Sequence, residues 1–223
     1  MAQAGLHGMV AQAVHKWVPR REWLMLGIVF GSLFPDADNI LVAVATVAKQ
    51  PVEGLHRTYT HSLITALVLV IVFWAIGALR KQPRWTNFGL GFAAGIVLHI
   101  LLDLLIWFNG VQLLWPFPLW INFWAGVAVP AWFMTLMNSL EFLFFALFFY
   151  MLLVLARKHQ TDTDFVRTLN IWMIVEIVLF VIFLILLYMP IKIVNTVYGL
   201  LYLVSLIAAL VITIRMRATV EAV

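Results

Sequence analysis

Three short motifs in the first half of the chain set histidines and aspartates inside otherwise apolar sequence. They are Pro35-Asp36-Ala37-Asp38, the segment His56-Arg57-Thr58-Tyr59-Thr60-His61, and His99 followed four residues later by Asp103. An ionisable group within a bilayer costs about 2.5–3.5 kcal/mol on insertion scales. Apolar helices do not collect such groups by drift, so these must be paired with one another, hydrated or bound to a cation. His7, Asp36, Asp38, His56, His61, His99 and Asp103 are all good metal ligands, and a metal site in a membrane protein is the expected result.

The membrane part of that expectation follows from composition. Of the 223 residues 65% are hydrophobic and only 11% charged, which excludes an ordinary soluble domain and a disordered chain alike. Apolar runs at 62–79, 86–108, 136–156, 169–189 and 193–214 have the length of a spanning helix, about 20 residues. No stretch outside them is long enough for a core of its own, so residues 1–223 read as one membrane domain. The fold class expected is all-α, a polytopic transmembrane bundle of about five full spans plus a pair of short N-terminal helices. The net charge of +4 is not a nucleic-acid footprint, because the basic residues sit in short clusters between apolar runs. With no cysteine, thiolate ligands, catalytic thiols and disulfides are excluded. The apolar stretch Ala2–Val14 is followed, not preceded, by Lys16, Arg20 and Arg21, the reverse of a signal sequence, and is expected to stay in the mature protein.

All basic residues except Lys49, Arg57 and Lys192 fall on one side if the chain crosses at each apolar segment, and the positive-inside rule makes that side cytoplasmic. The first fifty residues allow two arrangements. In one, 23–48 is a single span with the aspartates at its middle. In the other, 3–18 and 22–34 are short antiparallel helices joined by the basic turn around Pro19, and 40–48 is a further short helix. Only the helix pair brings His7 to the side of the other ligands and lets Pro35 end a helix rather than break one, so the pair is favoured.

His99 and Asp103, four apart on a helical run, share one face and can serve one ion. Alternation aims Asp36 and Asp38 to opposite sides, so one can bind metal while the other orients a histidine; Asp38 could instead cap the helix starting near Asn39. His56 and His61, five apart, converge only across a loop-to-helix junction, where Thr60 or Ser62 can be the cap. Arg57 matches a phosphate geometrically, or else meets lipid headgroups at the interface. His7 alone would more often be a buried core histidine. His15 and His159 lie in basic surroundings and are left out. Glu141 is a candidate base or supporting carboxylate, and Glu176 a structural hydrogen-bond partner. The tryptophans and prolines of Gly110–Trp132 suggest an interfacial belt that can also wall the site.

Taken together, these motifs resemble the membrane-bound metal-dependent hydrolase family whose bacterial members include LexA-regulated inner-membrane proteins. That pattern has an N-terminal histidine, PDxD, HRxxTHS, and HxxxD followed by a glycine and LLWP. Here these are His7, Pro35 to Asp38, His56 to Ser62, His99 to Asp103, Gly110 and Leu113-Leu114-Trp115-Pro116. The likeness covers about residues 5–117, with 118–223 as helices enclosing the site. Two departures stand out: Thr58 replaces a glycine, and Ile106-Trp107-Phe108 lacks a common threonine. The resemblance implies an integral inner-membrane protein, and the positive-inside rule puts its basic loops in the cytoplasm and its site toward the other face.

The function expected is hydrolysis of a lipid or headgroup phosphoester or ester by a metal-activated water. One or two divalent ions would serve, zinc being favoured over manganese or iron. Asp38, Arg57 and Asp103 are the expected catalytic residues. The partners are the membrane and a lipid-like substrate, with no nucleic acid. A metal-ion or proton carrier using the same cluster is the alternative, weakened because only Glu176 and loop charges occupy the cytoplasmic halves. A scaffold with a structural metal is third.

Overall fold

The structure, a computed structural model, describes residues 3–189 and 191–222, so Ala2 at the head of the predicted apolar stretch lies outside it. The described chain is almost wholly helical: α1 (Ala4–Ala13), α2 (Leu24–Leu33), α3 (Asn39–Val47), α4 (Leu63–Arg80), α5 (Pro83–Ile106), α6 (Ala131–His159), α7 (Val166–Leu186), α8 (Lys192–Arg215) and α9 (Arg217–Glu221). A minimal hairpin, β1 (Val111–Gln112) with β2 (Trp120–Ile121), interrupts them between α5 and α6. The five predicted spans are α4 to α8. A sixth run of spanning length and apolarity, Leu24–Val47, joins them.

That sixth run combines the two arrangements left open for the first fifty residues. α1 and α2 do pair, joined by the turn around Pro19. Yet α2 does not simply end at Pro35. The proline stands at the start of a 3-10 turn, Phe34–Asp38, which leads directly into α3. A proline without an N–H is tolerated in a first turn, where that donor has no partner anyway. The turn sets Asp36 and Asp38 into the interior, while α3 beyond it contains no buried residue.

The tightest packing in the bundle is between α2 and α5, and glycine explains it. A β-carbon on Gly27 would fall on the Phe88 carbonyl and one on Gly31 on the Phe92 carbonyl. Reciprocally, one on Gly91 would meet the Leu24 carbonyl and one on Gly95 the Ile28 carbonyl. Each helix thus carries a Gly-x-x-x-Gly stripe, and the two backbones touch along them. The contact fixes the register that sets Ser32 and the Phe34–Asp38 turn against His99 and Asp103. On its other side α2 meets α1, which also packs on α6.

The basic clusters converge at one end of the bundle. Glu22 pairs with Arg84 at 3.5 Å, Trp23 meets the Trp85 ring edge to face, and the Glu221 carboxylate accepts the Trp23 and Leu26 amides at the start of α2. Arg215 pairs with Asp164 at the same level, and Asp162 accepts the Thr219 amide.

Candidate metal centre

Asp38 organises one side of the site. Its Oδ1 accepts the His56 Nδ1 proton at 2.6 Å, and its Oδ2 accepts the Thr60 hydroxyl at 2.7 Å and the Arg57 amide at 3.3 Å. His61 Nδ1 lies 3.0 Å from the Thr60 oxygen and 3.4 Å from Asp38 Oδ2. Thr60 has given its proton to Asp38, so its oxygen must accept from His61, and the His61 Nδ1 carries hydrogen. The Nε2 of His61 is then a lone pair. Burial holds this ring below the ordinary histidine range, against the opposing pull of Asp38, which agrees with a neutral imidazole. Asp38 is therefore no helix cap: its side chain makes no capping bond to α3. Ser62, not Thr60, caps α4 by accepting the Ile64 amide at 3.2 Å.

α5 prepares the second nitrogen in the same way. His99 Nδ1 sits 2.7 Å from the Ser32 carbonyl of α2, which can only accept, so Nδ1 is the donor and Nε2 a lone pair. The two prepared nitrogens, His61 Nε2 and His99 Nε2, face each other at 3.1 Å with no hydrogen to share. Two carboxylates complete the group. Asp103 Oδ2 lies 3.6 Å from His61 Nε2 and 3.8 Å from His99 Nε2, and Asp36 Oδ1 lies 3.7 Å from His99 Nε2. The edge of a tetrahedron with arms of 2.0–2.1 Å is about 3.3–3.4 Å; Asp36, His61 and His99 offer ligand atoms within 4.8 Å of one another, close enough for a small divalent ion, and Asp103 stands beside both histidines.

Charge and hydrogen-bond supply point the same way. Asp36, His61, His99 and Asp103 are fully buried, and neither oxygen of Asp36 or Asp103 has a hydrogen-bond partner among the described residues. Ionised, Asp36, Asp38 and Asp103 set three negative charges against the single guanidinium of Arg57. A buried charge without compensation costs several kcal/mol, and a divalent cation removes the imbalance. The donor set of imidazole and carboxylate suits zinc, manganese or iron.

His7 reaches the site from α1. Its ring stacks on His99 with centroids 3.7 Å apart, and its Nε2 is 3.2 Å from Asp103 Oδ1. Beside the Asp36, His61 and His99 set, two more sets offer ligand atoms within 4.8 Å of one another: His7, His99 and Asp103, and Asp38, His56 and His61. α1 is held in place from α6: Glu141, buried in the bundle, accepts the Gly5 amide at 3.3 Å. A carboxylate at a helix N-terminus satisfies open amides and the helix dipole together. Glu141 thus positions α1 and, through it, His7, rather than standing among the ligands.

Arg57 takes the left-handed backbone conformation, φ 62°, and its side chain turns inward. Nη2 is 3.2 Å from Asp103 Oδ2, Nη1 donates to the Asn109 carbonyl at 2.8 Å, and the guanidinium lies over the Trp107 ring. Only 6% of this side chain is exposed, so the headgroup contact expected of an interfacial arginine is replaced by an internal ion pair. The 107–130 segment locks the whole histidine loop: Gln112 N donates to the Arg57 carbonyl and Leu63 N to the Leu113 carbonyl, both at 2.9 Å. Trp115, Phe117, Trp120 and Phe123 of that segment are exposed, as the belt reading expects.

All seven sequence-predicted ligands therefore meet in one cluster, with Arg57 against it. His15 lies elsewhere, bonded to the Gln12 carbonyl, and Glu176 accepts the Ser205 hydroxyl between α7 and α8. Sequence reasoning missed Ser32, which sets the His99 tautomer, and the glycine stripes Gly27/Gly31 and Gly91/Gly95. The stripes were visible as spacing. Ser32 carried no signal, because it acts through its carbonyl.

A family model described as YdjM inner membrane protein matches residues 3–220 of the chain. No curated protein and no solved structure matches it.

Proposed function

Since the chain belongs to the YdjM inner membrane protein family and is an integral inner-membrane protein, we propose that it is a membrane-embedded metal-dependent hydrolase. It would cleave a lipid or headgroup phosphoester or ester on the non-cytoplasmic side. The observation that carries this reading is the pair of imidazole lone pairs 3.1 Å apart, flanked by two carboxylates without hydrogen-bond partners among the described residues.

Asp36, His61, His99 and Asp103 would hold the ion, with His7 beside Asp103 for a second position. A divalent ion there supplies Lewis acidity toward the ester or phosphoryl oxygen and acidifies water at neutral pH. Asp38 fixes His56 by its Nδ1, which leaves His56 Nε2 to take a proton from water and return it to the leaving oxygen. His56 suits that task because its side chain is 23% exposed while its partner aspartate is buried. Arg57 donates one guanidinium N–H to the Asn109 carbonyl and forms an ion pair with Asp103, which leaves further donors. It can steady a phosphoryl oxygen with others while offsetting the carboxylate charge. The convergence of Arg20, Arg21, Arg84 and Arg215 at the opposite end supports a cytoplasmic basic end and a site toward the other face.

The test is release of phosphate, alcohol or fatty acid from vesicles of phosphatidic acid, phosphatidylglycerol and a carboxylic ester lipid. Metal-loaded wild type should turn over at least one class, and the His99→Ala/Asp103→Ala variant none. A metal-loaded protein inert toward all three, in a bilayer and with intact fold, would refute hydrolysis.

A further inference from the structure

α3 and α8 enclose a groove of about 300 Å³ on the flank of the bundle. Val42, Ala43 and Val47 line one wall and Leu200 and Leu203 the other, with no charged side chain among the described residues. The rims are apolar as well, since Leu41, Val44, Val197 and Leu200 are exposed. Both helices belong to runs of membrane-spanning length, so lipid is the medium that touches this flank. α3 runs about 12 Å over its eight steps, enough to cradle a stretch of hydrocarbon.

Thr46, Asn195 and Thr196 also line the groove, and Asn39 and Tyr202 line it where α3 and α8 meet the Phe34–Asp38 turn. Asn39 there donates to the Asp36 carbonyl at 2.9 Å. Opposite it stands Tyr202, 1% exposed, whose hydroxyl is buried without a hydrogen-bond partner among the described residues. α8 packs against the Phe34–Asp38 turn that carries Asp36. A buried phenol normally finds a partner, and Tyr202 is one of the residues that line the groove.

We infer that the groove holds one hydrocarbon chain of a bilayer lipid, whose polar end is turned to Asn39 and Tyr202 beside Asp36. The groove between α3 and α8 then selects the substrate class, lipids rather than soluble esters, for the metal centre. The fate of the polar end rests on the hydrolase reading; seating of the chain does not.

The experiment uses full-length protein in vesicles of phosphatidylethanolamine and phosphatidylglycerol doped with phosphatidylglycerol bearing a diazirine on one acyl chain. After illumination, peptides from 39–47 and 195–203 should be labelled at least five-fold above those from lipid-facing α4 and α7. Ala43→Trp, and the milder Ala43→Leu should the first not fold, would cut groove labelling at least five-fold and leave α4 and α7 unchanged. Equal labelling of all lipid-facing helices, unchanged labelling in a folded filled-groove variant, or cross-links between two copies across the groove would each overturn the assignment. His99→Ala/Asp103→Ala should keep the label. Loss of metal or turnover then judges the hydrolase reading separately, and loss of label judges the groove.

Discussion

The α2–α5 pair and the α6–α7–α8 group are both apolar helix packing, but they are built differently. α2 and α5 meet through glycines, backbone against backbone, and a ring nitrogen of one finds a carbonyl of the other. In the second group large side chains fill the space: the Phe142, Phe183 and Tyr198 rings cluster with centroids 5.3–5.4 Å apart. There the Tyr198 hydroxyl donates to the Asn138 carbonyl at 2.7 Å, a contact that holds helices together and carries no ligand. The ligand positions sit where glycine removes slack, and the aromatic half encloses them. In a bilayer the hydrophobic effect does not drive helices together, so packing and interhelical hydrogen bonds have to do it, backbone on backbone in one region and ring on ring in the other.

Four substitutions break or sharpen that contrast, in decreasing order of effect. Gly31→Leu would force a side chain into the Phe92 backbone and part α2 from α5. About 3 kcal/mol or more of stability should be lost, seen as a collapse of the melting transition together with metal content. Asp38→Asn keeps the shape but not the charge that orients His56 and His61. Metal affinity should fall about 10–100-fold in a chelator competition while the protein remains folded; unchanged affinity would remove Asp38 from the site's support. Glu141→Gln weakens the grip on the α1 amides by about 1–2 kcal/mol. It should speed proteolysis of the first fifteen residues and lower occupancy of any second ion near His7 more than of the first. Phe183→Leu, in the aromatic half, should cost about 1 kcal/mol by melting and leave metal content as in wild type. A loss of metal there would mean the two regions are not separable.

The contrast also explains what could be read in the chain. Ionisable residues are so costly in apolar helices that His99, Asp103, His61 and the aspartates declared a cluster without any coordinates. The apolar runs were equally legible, since spanning length is a simple constraint. The division of labour between Asp36 and Asp38 was not, because it depends on the 3-10 turn that Pro35 starts. Arg57 reads equally as a phosphate partner or an interfacial residue, and its ion pair with Asp103 from a left-handed backbone is a tertiary fact. Gly27-x-x-x-Gly31 and Gly91-x-x-x-Gly95 were on the page as spacing, but which glycines meet is a tertiary fact. Tyr202 had no local mark: a tyrosine in an apolar helix becomes informative only when its hydroxyl proves buried without a partner.

Metal content, by mass spectrometry of chelator-free purified protein beside the His99→Ala/Asp103→Ala variant, tests the central claim most directly. The account predicts one or two equivalents of zinc, manganese or iron in the wild type, and loss of metal in a variant that still folds. Wild-type protein that stays empty after metal repletion would contradict it, and the four facing atoms would then be a proton-sharing network.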